Sequence, residues 1–317
     1  FHVVVIGCGE SGLLTGIRLD QAGIPYTIIE KTDGPGGTWR DNRYPGARVD
    51  IGSHFYCYSF EPSDHWSEYF CRQPELRGYF ERVMRKYNVD EKCRFNTEVV
   101  KAAWNEESST WSVEVRTPDG ATDVIIANVI VSGTGALNAP RMPDIPGMED
   151  FKGPSFHSAR WDHACDLDGK RVAIIGTGAS AIQVIPAIQP RVGQLLVAQR
   201  TPAWVLPRHD RAIPAWRRAL YRRVPRLQGL ARLLQYLRHE VLFLPFRHRW
   251  LRRVAARLLG RHLIRQVRDP ALRTRLTPRY DIGCKRLLLS DDYYPAMTQP
   301  NVTLVDQTIT QITPTGF

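Results

Sequence analysis

Two stretches, HVVVIGCGESG at 2–12 and RVAIIGTGASA at 171–181, constrain this chain more than any other feature in it. In each, a short run of largely β-branched apolar residues leads straight into a glycine-spaced turn. Such a run reads as a strand covered on both faces, as parallel sheets require. The glycines let the backbone turn sharply and approach a neighbour closely. Helix-like text follows in both cases: LLTGIRLDQAG, ending near Gly23, and IQVIPAIQ. A further apolar run, PYTIIE or QLLVAQR, closes each unit. A strand–turn–helix–strand unit that occurs twice predicts an α/β fold with two Rossmann-like dinucleotide-binding domains.

Between the units lie a helix-like segment, ELRGYFERVMRKYNV, and strand-like text around TEVVKAAW, TWSVEVRT and ATDVIIANVIVSGTG, with PDG as a turn signal. From Pro214 to about Arg268 the pattern is helical, leucines alternating with arginines, and Pro225 and Pro245 are expected to break it. After 276 the text returns to strand, notably NVTLVD. The expected division is a first dinucleotide domain over 1–145, a second over 146–209 and 276–317, and an α-helical insert over 210–275. The chain opens on a Phe inside a strand pattern and closes on ITPTGF within sheet-like text, so truncation at both ends is expected.

Charge is unevenly placed. The net charge is +11. Residues 208–270 hold 17 Arg and no Lys against three acids, a surplus of +14 that leaves −3 for the rest. One segment is therefore basic, not the whole protein. The plainest reading is a helical insert with a solvated basic face. Of two functional readings, peripheral membrane contact through 208–270 suits the interleaved leucines, Trp216, Phe243, Phe246 and Trp250 better than nucleic acid does, and no specific nucleic-acid partner is expected. The longest apolar run, VLFLPF, is too short to span a membrane. Six scattered cysteines show no CxxC and no metal-ligand spacing, so no metal is expected, and they read as reduced thiols of a cytoplasmic protein, with membrane association as the open variant.

The first glycine motif is Gly7, Gly9 and Gly12; its glycines would let a pyrophosphate approach a helix N-terminus. The second strand of that unit ends in Glu30, placed to accept from a ribose 2′-OH. The second motif is Gly176, Gly178 and Ala181, and its second strand ends in Arg200–Thr201. A guanidinium there pairs with a 2′-phosphate where a carboxylate would repel it. The two units thus point to different dinucleotides, NADPH at the second, although a solvated surface role for Arg200 stays open. A loop at 36–50, GGTWRDNRYPGARVD, carries Gly36 and Gly37 for close approach and ends in Asp50, which also suits a turn aspartate. Another loop, FKGPSFHSARWD at 151–162, precedes the second unit and spaces Phe151, Gly153, His157, Trp161 and Asp162.

These two long loops and two nucleotide motifs, in this order, resemble the Baeyer–Villiger monooxygenases. The loop 36–50 looks like one family fingerprint, with Trp39 and Tyr44–Pro45–Gly46 before Asp50. The series Phe151, Gly153, His157, Trp161 and Asp162 looks like the other. The resemblance implies FAD on the first unit and NADP on the second, with a small-molecule ketone and O2 as substrates. It places Glu30 on the FAD ribose and Gly37, Thr38, Trp39, Asp41, Asp50, Tyr56 and Val99 around the flavin and its adenosine. On the NADP side it places Thr177, Gly178, Ser180, Gln183, Arg200 and Thr201. The segment GCKRLLLSDDYYPAMTQPNV at 283–302 is similar to the family's lysine–arginine region, implying Lys285 for the 2′-phosphate and Arg286 as catalytic. Asp50 would orient Arg286, and a ketone would become an ester or lactone through a C4a-peroxyflavin. His157 is expected to serve as a hinge between cofactors, or as a structural histidine, rather than as a base. N- or S-oxygenation is the alternative within enzymes, and an inactive nucleotide-binding fragment with a basic membrane-associating segment is the one outside them. The absence of a CxxC or CxxxxC pair near the first unit argues against a disulfide reductase.

Overall fold

A computed structural model describes residues 1–137 and 139–317. The chain divides into two compact units: one made of Phe1–Arg43 and Gln73–Arg141, the other of Tyr44–Arg72 and Met142–Phe317. The segment Tyr44–Arg72 is thus cut from the middle of the first unit and belongs to the second.

In the first unit the order is β1 (Val3–Ile6), α1 (Glu10–Gln21), β2 (Tyr26–Ile29), α2 (Thr38–Asp41), α3 (Gln73–Lys86), β3 (Cys93–Arg94), β4 (Glu98–Asn105), β5 (Thr110–Arg116), β6 (Thr122–Ala127) and β7 (Val129–Ser132). A parallel sheet runs β3-β2-β1-β7, and β4-β5-β6 form a separate antiparallel sheet. Val4 and Ile29 of the parallel sheet pack with Val113, Val115 and Ala127 in one buried cluster. Val3, Val4 and Val5 are all buried, which is why this strand reads as a continuous apolar run instead of an alternating one. The helix α3 buries Leu76, Tyr79, Phe80 and Val83, a single face at helical spacing.

The second unit contains β8 (Arg171–Ile175), α4 (Ala181–Ile188), β9 (Gln194–Ala198), β10 (Val205–Leu206), α5 (Ala215–Arg223), α6 (Pro225–Arg247), α7 (Arg249–Gln266), α8 (Pro270–Leu276), β11 (Leu288–Leu289), α9 (Tyr293–Met297) and β12 (Val302–Val305). Its parallel sheet is β12-β9-β8, with a small parallel pair β10-β11 beside it in the chain order. Ile182, Ile185 and Ile188 of α4 meet Leu195 and Val197 of β9 and Leu304 of β12 in its core. The prolines mark helix junctions, as expected: α5 ends just before Pro225, and α6 ends two residues after Pro245. Pro225 opens α6 as its first residue, where its missing N–H costs nothing, and Pro245 sits in the last turn of the same helix. The strand β9 stops at Ala198, so Arg200 lies two residues beyond its end. No helix among the described residues is long and apolar enough to cross a membrane.

Glycine is required where the first turn meets its helix. A Cβ on Gly12 would fall 1.9 Å from the Gly7 carbonyl oxygen, and Gly7 itself has φ +94°. By contrast, a Cβ on Gly229, inside α6, would meet nothing within 4 Å. Gly12→Ala is therefore expected to cost about 2–3 kcal/mol through forced backbone movement, whereas Gly229→Ala is expected to stabilise by up to about 1 kcal/mol through helix propensity. Thermal melting of the two variants, with shifts of opposite sign, checks this.

Candidate functional site

In the first unit the glycine turn and the 36–37 loop form one surface. The Gly36 N–H donates to the Cys8 carbonyl at 2.9 Å, and a Cβ on Gly37 would lie 3.0 Å from the Gly9 Cα. A side chain on Gly37 would therefore press on Gly9, and Gly37, at φ +49°, also holds a conformation that side chains avoid. The helix α1 follows Gly9, whose lack of a side chain means no side-chain cap bonds its first turn. Glu30 is 5% exposed, immediately after β2. Its carboxylate accepts from the Cys8 N–H at 2.7 Å, and from the Thr32 N–H and hydroxyl, both at 2.8 Å. Three acceptor positions of about four are used, which leaves capacity for one hydroxyl donor. Thr38, Trp39 and Asp41 fall in the single turn of α2, and Val99 in β4 at an irregularity of its pairing with β5. This combination of Cβ-free surface, uncapped helix and buried acceptor fits the pyrophosphate and ribose of a dinucleotide.

Asp50 and Tyr56 belong to the second unit, with Tyr44–Arg72. Here the loop 44–50 is held by one amide. Gln183 on α4 accepts from the Tyr44 hydroxyl and the Arg48 N–H, both at 3.2 Å, and donates to the Arg48 carbonyl at 3.1 Å. Gly46 has φ +82°, and a Cβ there would sit 2.5 Å from the Gln183 carbonyl, so the YPG sequence is what lets the loop lie on α4. Burial raises the Tyr44 phenol above its ordinary range, against a hydrogen bond with Ser180. Arg48, which sequence reasoning missed, has an almost buried side chain that pairs with Asp210 and lies 3.5 Å from Glu68. Asp210 also accepts the Phe70 N–H at 3.1 Å. Backbone bonds from Tyr69 to Arg211 and from Ile213 to Ser67 complete the docking of 44–72.

These contacts set the next residue. Val49 donates its N–H to the Cys71 carbonyl at 3.1 Å, and Asp50 follows it into an ion pair with Arg286. Arg286 is positioned from the other side by β11, two residues on, which pairs with β10. After that pair, Asp291 accepts the backbone N–H groups of Arg208, His209 and Asp210 at 2.8, 3.0 and 3.1 Å. Burial opposes its ionisation, yet these donors and Arg208 hold it below the usual carboxylate range. The structure thus brings together two candidates 236 positions apart in sequence. The Arg286 side chain is 63% exposed, so the pair adds about 1 kcal/mol or less to stability and fixes geometry instead. Lys285 lies with its ammonium 5.0 Å above the Tyr280 ring.

At the second glycine motif, added Cβ atoms on Gly176 and Gly178 would meet nothing within 4 Å, an open backbone surface. Thr177 donates its hydroxyl to the Thr201 carbonyl at 3.4 Å, Ser180 precedes α4, and Arg200 is exposed. A dinucleotide phosphate fits this surface as well. The loop 151–162 also lies in the second unit. A Cβ on Gly153 would come 2.7 Å from the Phe151 ring, Trp161 packs on the core and edge-on to Phe156, and Asp162 accepts the Ala164 N–H at 2.9 Å. His157 accepts the Ala159 N–H on its Nδ1 at 3.1 Å, a local cap that occupies one ring nitrogen.

The chain matches the flavin-binding monooxygenase-like family over residues 1–239, and it belongs to that family. It is 47% identical to a Baeyer–Villiger monooxygenase of Pseudomonas aeruginosa over 99% of this chain and 59% of the relative. It is 45% identical to a Baeyer–Villiger monooxygenase of Streptomyces coelicolor, over 98% of this chain and 59% of that one. Among solved structures, OTEMO in complex with FAD and NADP aligns with a TM-score of 0.88 at 30% identity, covering 99% of this chain and 67% of that chain. The resemblance drawn from the two fingerprints therefore holds, and the α/β fold is that of flavin monooxygenases with FAD and NADP domains. The chain spans 59% of the length of these two curated relatives.

One buried group in the second unit gives a pH signature. Burial, aided by Arg217, pushes His54 down from 6.5 to about 4, and the Gln228 amide lies 3.4 Å from its Nδ1. The unfolded chain binds a proton below about 6.5 that the folded chain refuses until about 4. Stability should be full above that window and fall by up to about 3 kcal/mol as pH drops through it. Urea unfolding at several pH values should show this slope, and His54→Gln should flatten it.

Proposed function

We propose that the protein to which this chain belongs is an NADPH- and O2-dependent monooxygenase that converts a ketone into an ester or lactone. The observation that carries this reading is the Asp50–Arg286 ion pair, set in a chain so similar to two Baeyer–Villiger monooxygenases. FAD, reduced by NADPH, would supply the activated oxygen.

On the first unit, the backbone at Gly7, Gly9 and Gly12 would receive the FAD pyrophosphate, and Glu30 would take the ribose hydroxyl with its remaining acceptor capacity. The domain division proposed with it is FAD over 1–145, apart from the segment Tyr44–Arg72 that the second unit holds, NADP over 146–209 and 276–317, and the helical insert over 210–275. On the NADP side, Gly178 and Thr177 would carry the pyrophosphate, and Arg200, joined by Lys285, would hold the 2′-phosphate. Arg286 would present its guanidinium charge to negative charge developing on the reacting oxygen. Asp50 holds that guanidinium in one orientation. Gln183, by bracing 44–48, in turn holds Asp50. A second reading attaches to residues 208–270 alone: their outward leucines favour peripheral contact with a membrane surface.

The test uses the full-length protein, with ester detected by mass spectrometry and NADPH consumption followed in the presence of ketones. Arg286→Ala should still permit flavin reduction but lower ester formation at least 100-fold, on the order of a lost charge-stabilising group. Arg200→Ala should raise KM for NADPH about tenfold or more while leaving NADH nearly unaffected, as loss of a charge-assisted pair predicts. NADPH oxidation that ignores ketone and yields only hydrogen peroxide would overturn the reading.

A further inference from the structure

The helix α6 is inverted. Its inward stripe is polar: Gln228, Arg232, Gln235 and His239 lie at i, i+4, i+7 and i+11. Gln228 donates to the Ser63 carbonyl at 2.5 Å. Arg232 donates to the carbonyls of His54, Phe55 and Cys57 at 3.2, 3.0 and 3.1 Å. Gln235 is buried against Gly52, and His239 stacks on Phe55 at 5.7 Å. The leucines that would normally face the core, among them Leu230, Leu233, Leu234 and Leu237, are turned outward and about half exposed. Exposed apolar residues continue on α7, where Trp250 is 63% and Leu258 56% exposed.

Charge concentrates on α7, which packs against α6. On α7, Arg249, Arg253, Arg257, Arg261 and Arg265 recur at every fourth position, all exposed, and none makes an ion pair among the described residues. The apolar Trp250, Val254 and Leu258 run one position behind them. Neither α5 nor α7 contains an acid, and α6 contains only Glu240. A face that is apolar and strongly cationic at once matches a lipid interface, where acyl chains take the apolar groups and headgroups take the guanidinium groups. A second copy is disfavoured, because a two-fold contact would set one arginine-rich face against another.

We propose that the outward face of α6 and α7 docks on an anionic phospholipid bilayer, lying on the surface, with the α7 arginines on headgroup phosphates. It rests on the membrane-contact reading of 208–270 and is independent of the ketone chemistry. The test is co-sedimentation of the full-length protein with phosphatidylcholine vesicles, with and without phosphatidylglycerol. Binding should appear with phosphatidylglycerol and fall at least tenfold when salt is raised well above physiological strength. The double variant Arg253→Glu with Arg257→Glu should lose that binding, Trp250→Ala should weaken it, and Arg82→Glu on α3 should leave it unchanged. Unchanged melting of these surface variants shows that each is folded. Equal binding to both vesicle types would overturn the anionic assignment while keeping membrane contact. No binding to either, or a concentration-dependent dimer lost in the same variants, would overturn both. Full binding by the double variant would overturn the role of α7.

Discussion

The candidate site depends on the close approach of a glycine backbone to α4. Gly46 adopts a conformation that side chains avoid, and it lies so near the Gln183 carbonyl that a Cβ would overlap it. That closeness lets one amide bind both backbone groups of Arg48 and the Tyr44 hydroxyl. From there the order propagates along the chain, through Arg48 with Asp210 and Val49 with Cys71, to Asp50 and its arginine. A half-exposed ion pair has little energy with which to hold itself in place. Its geometry is set by the backbone bonds on both sides, the Cys71 contact on one and the β10–β11 pair on the other.

The helical segment solves a different problem. A helix normally spends its leucines on the core and its polar residues on water. Here the inward neighbour of α6 is a tight polypeptide loop, 52–63, whose carbonyls need donors more than they need apolar cover. Burying those carbonyls without donors would cost a hydrogen bond each. Gln228 and Arg232 meet that need, and the leucines are left outside. The same residues that make the segment basic and apolar by composition thus acquire a direction.

Much of the fold is legible in the sequence because its signals are local. A buried parallel strand is apolar over successive residues, and a glycine turn is spaced by the geometry of the turn itself, so β1, β8 and the turns after them can be read off a few residues. The limits are equally physical. Trp161 and Asp162 were recognisable only through a resemblance, and in space they are a core-packed ring and a turn acceptor. Arg48 and Asp210 carry no local signal at all; each is an ordinary charged residue until the fold pairs them.

By itself the sequence determined two nucleotide-type units, the acid after one second strand and the arginine after the other, and the basic character of 208–270, because each depends on residues close together in the chain. Tertiary structure alone decided that Tyr44–Arg72 joins the second unit, that Gln183 braces a loop, that Asp50 reaches Arg286, and which way the leucines of α6 face. Those outcomes require contacts between segments far apart in sequence, and such contacts exist only once the chain has closed the loops between them.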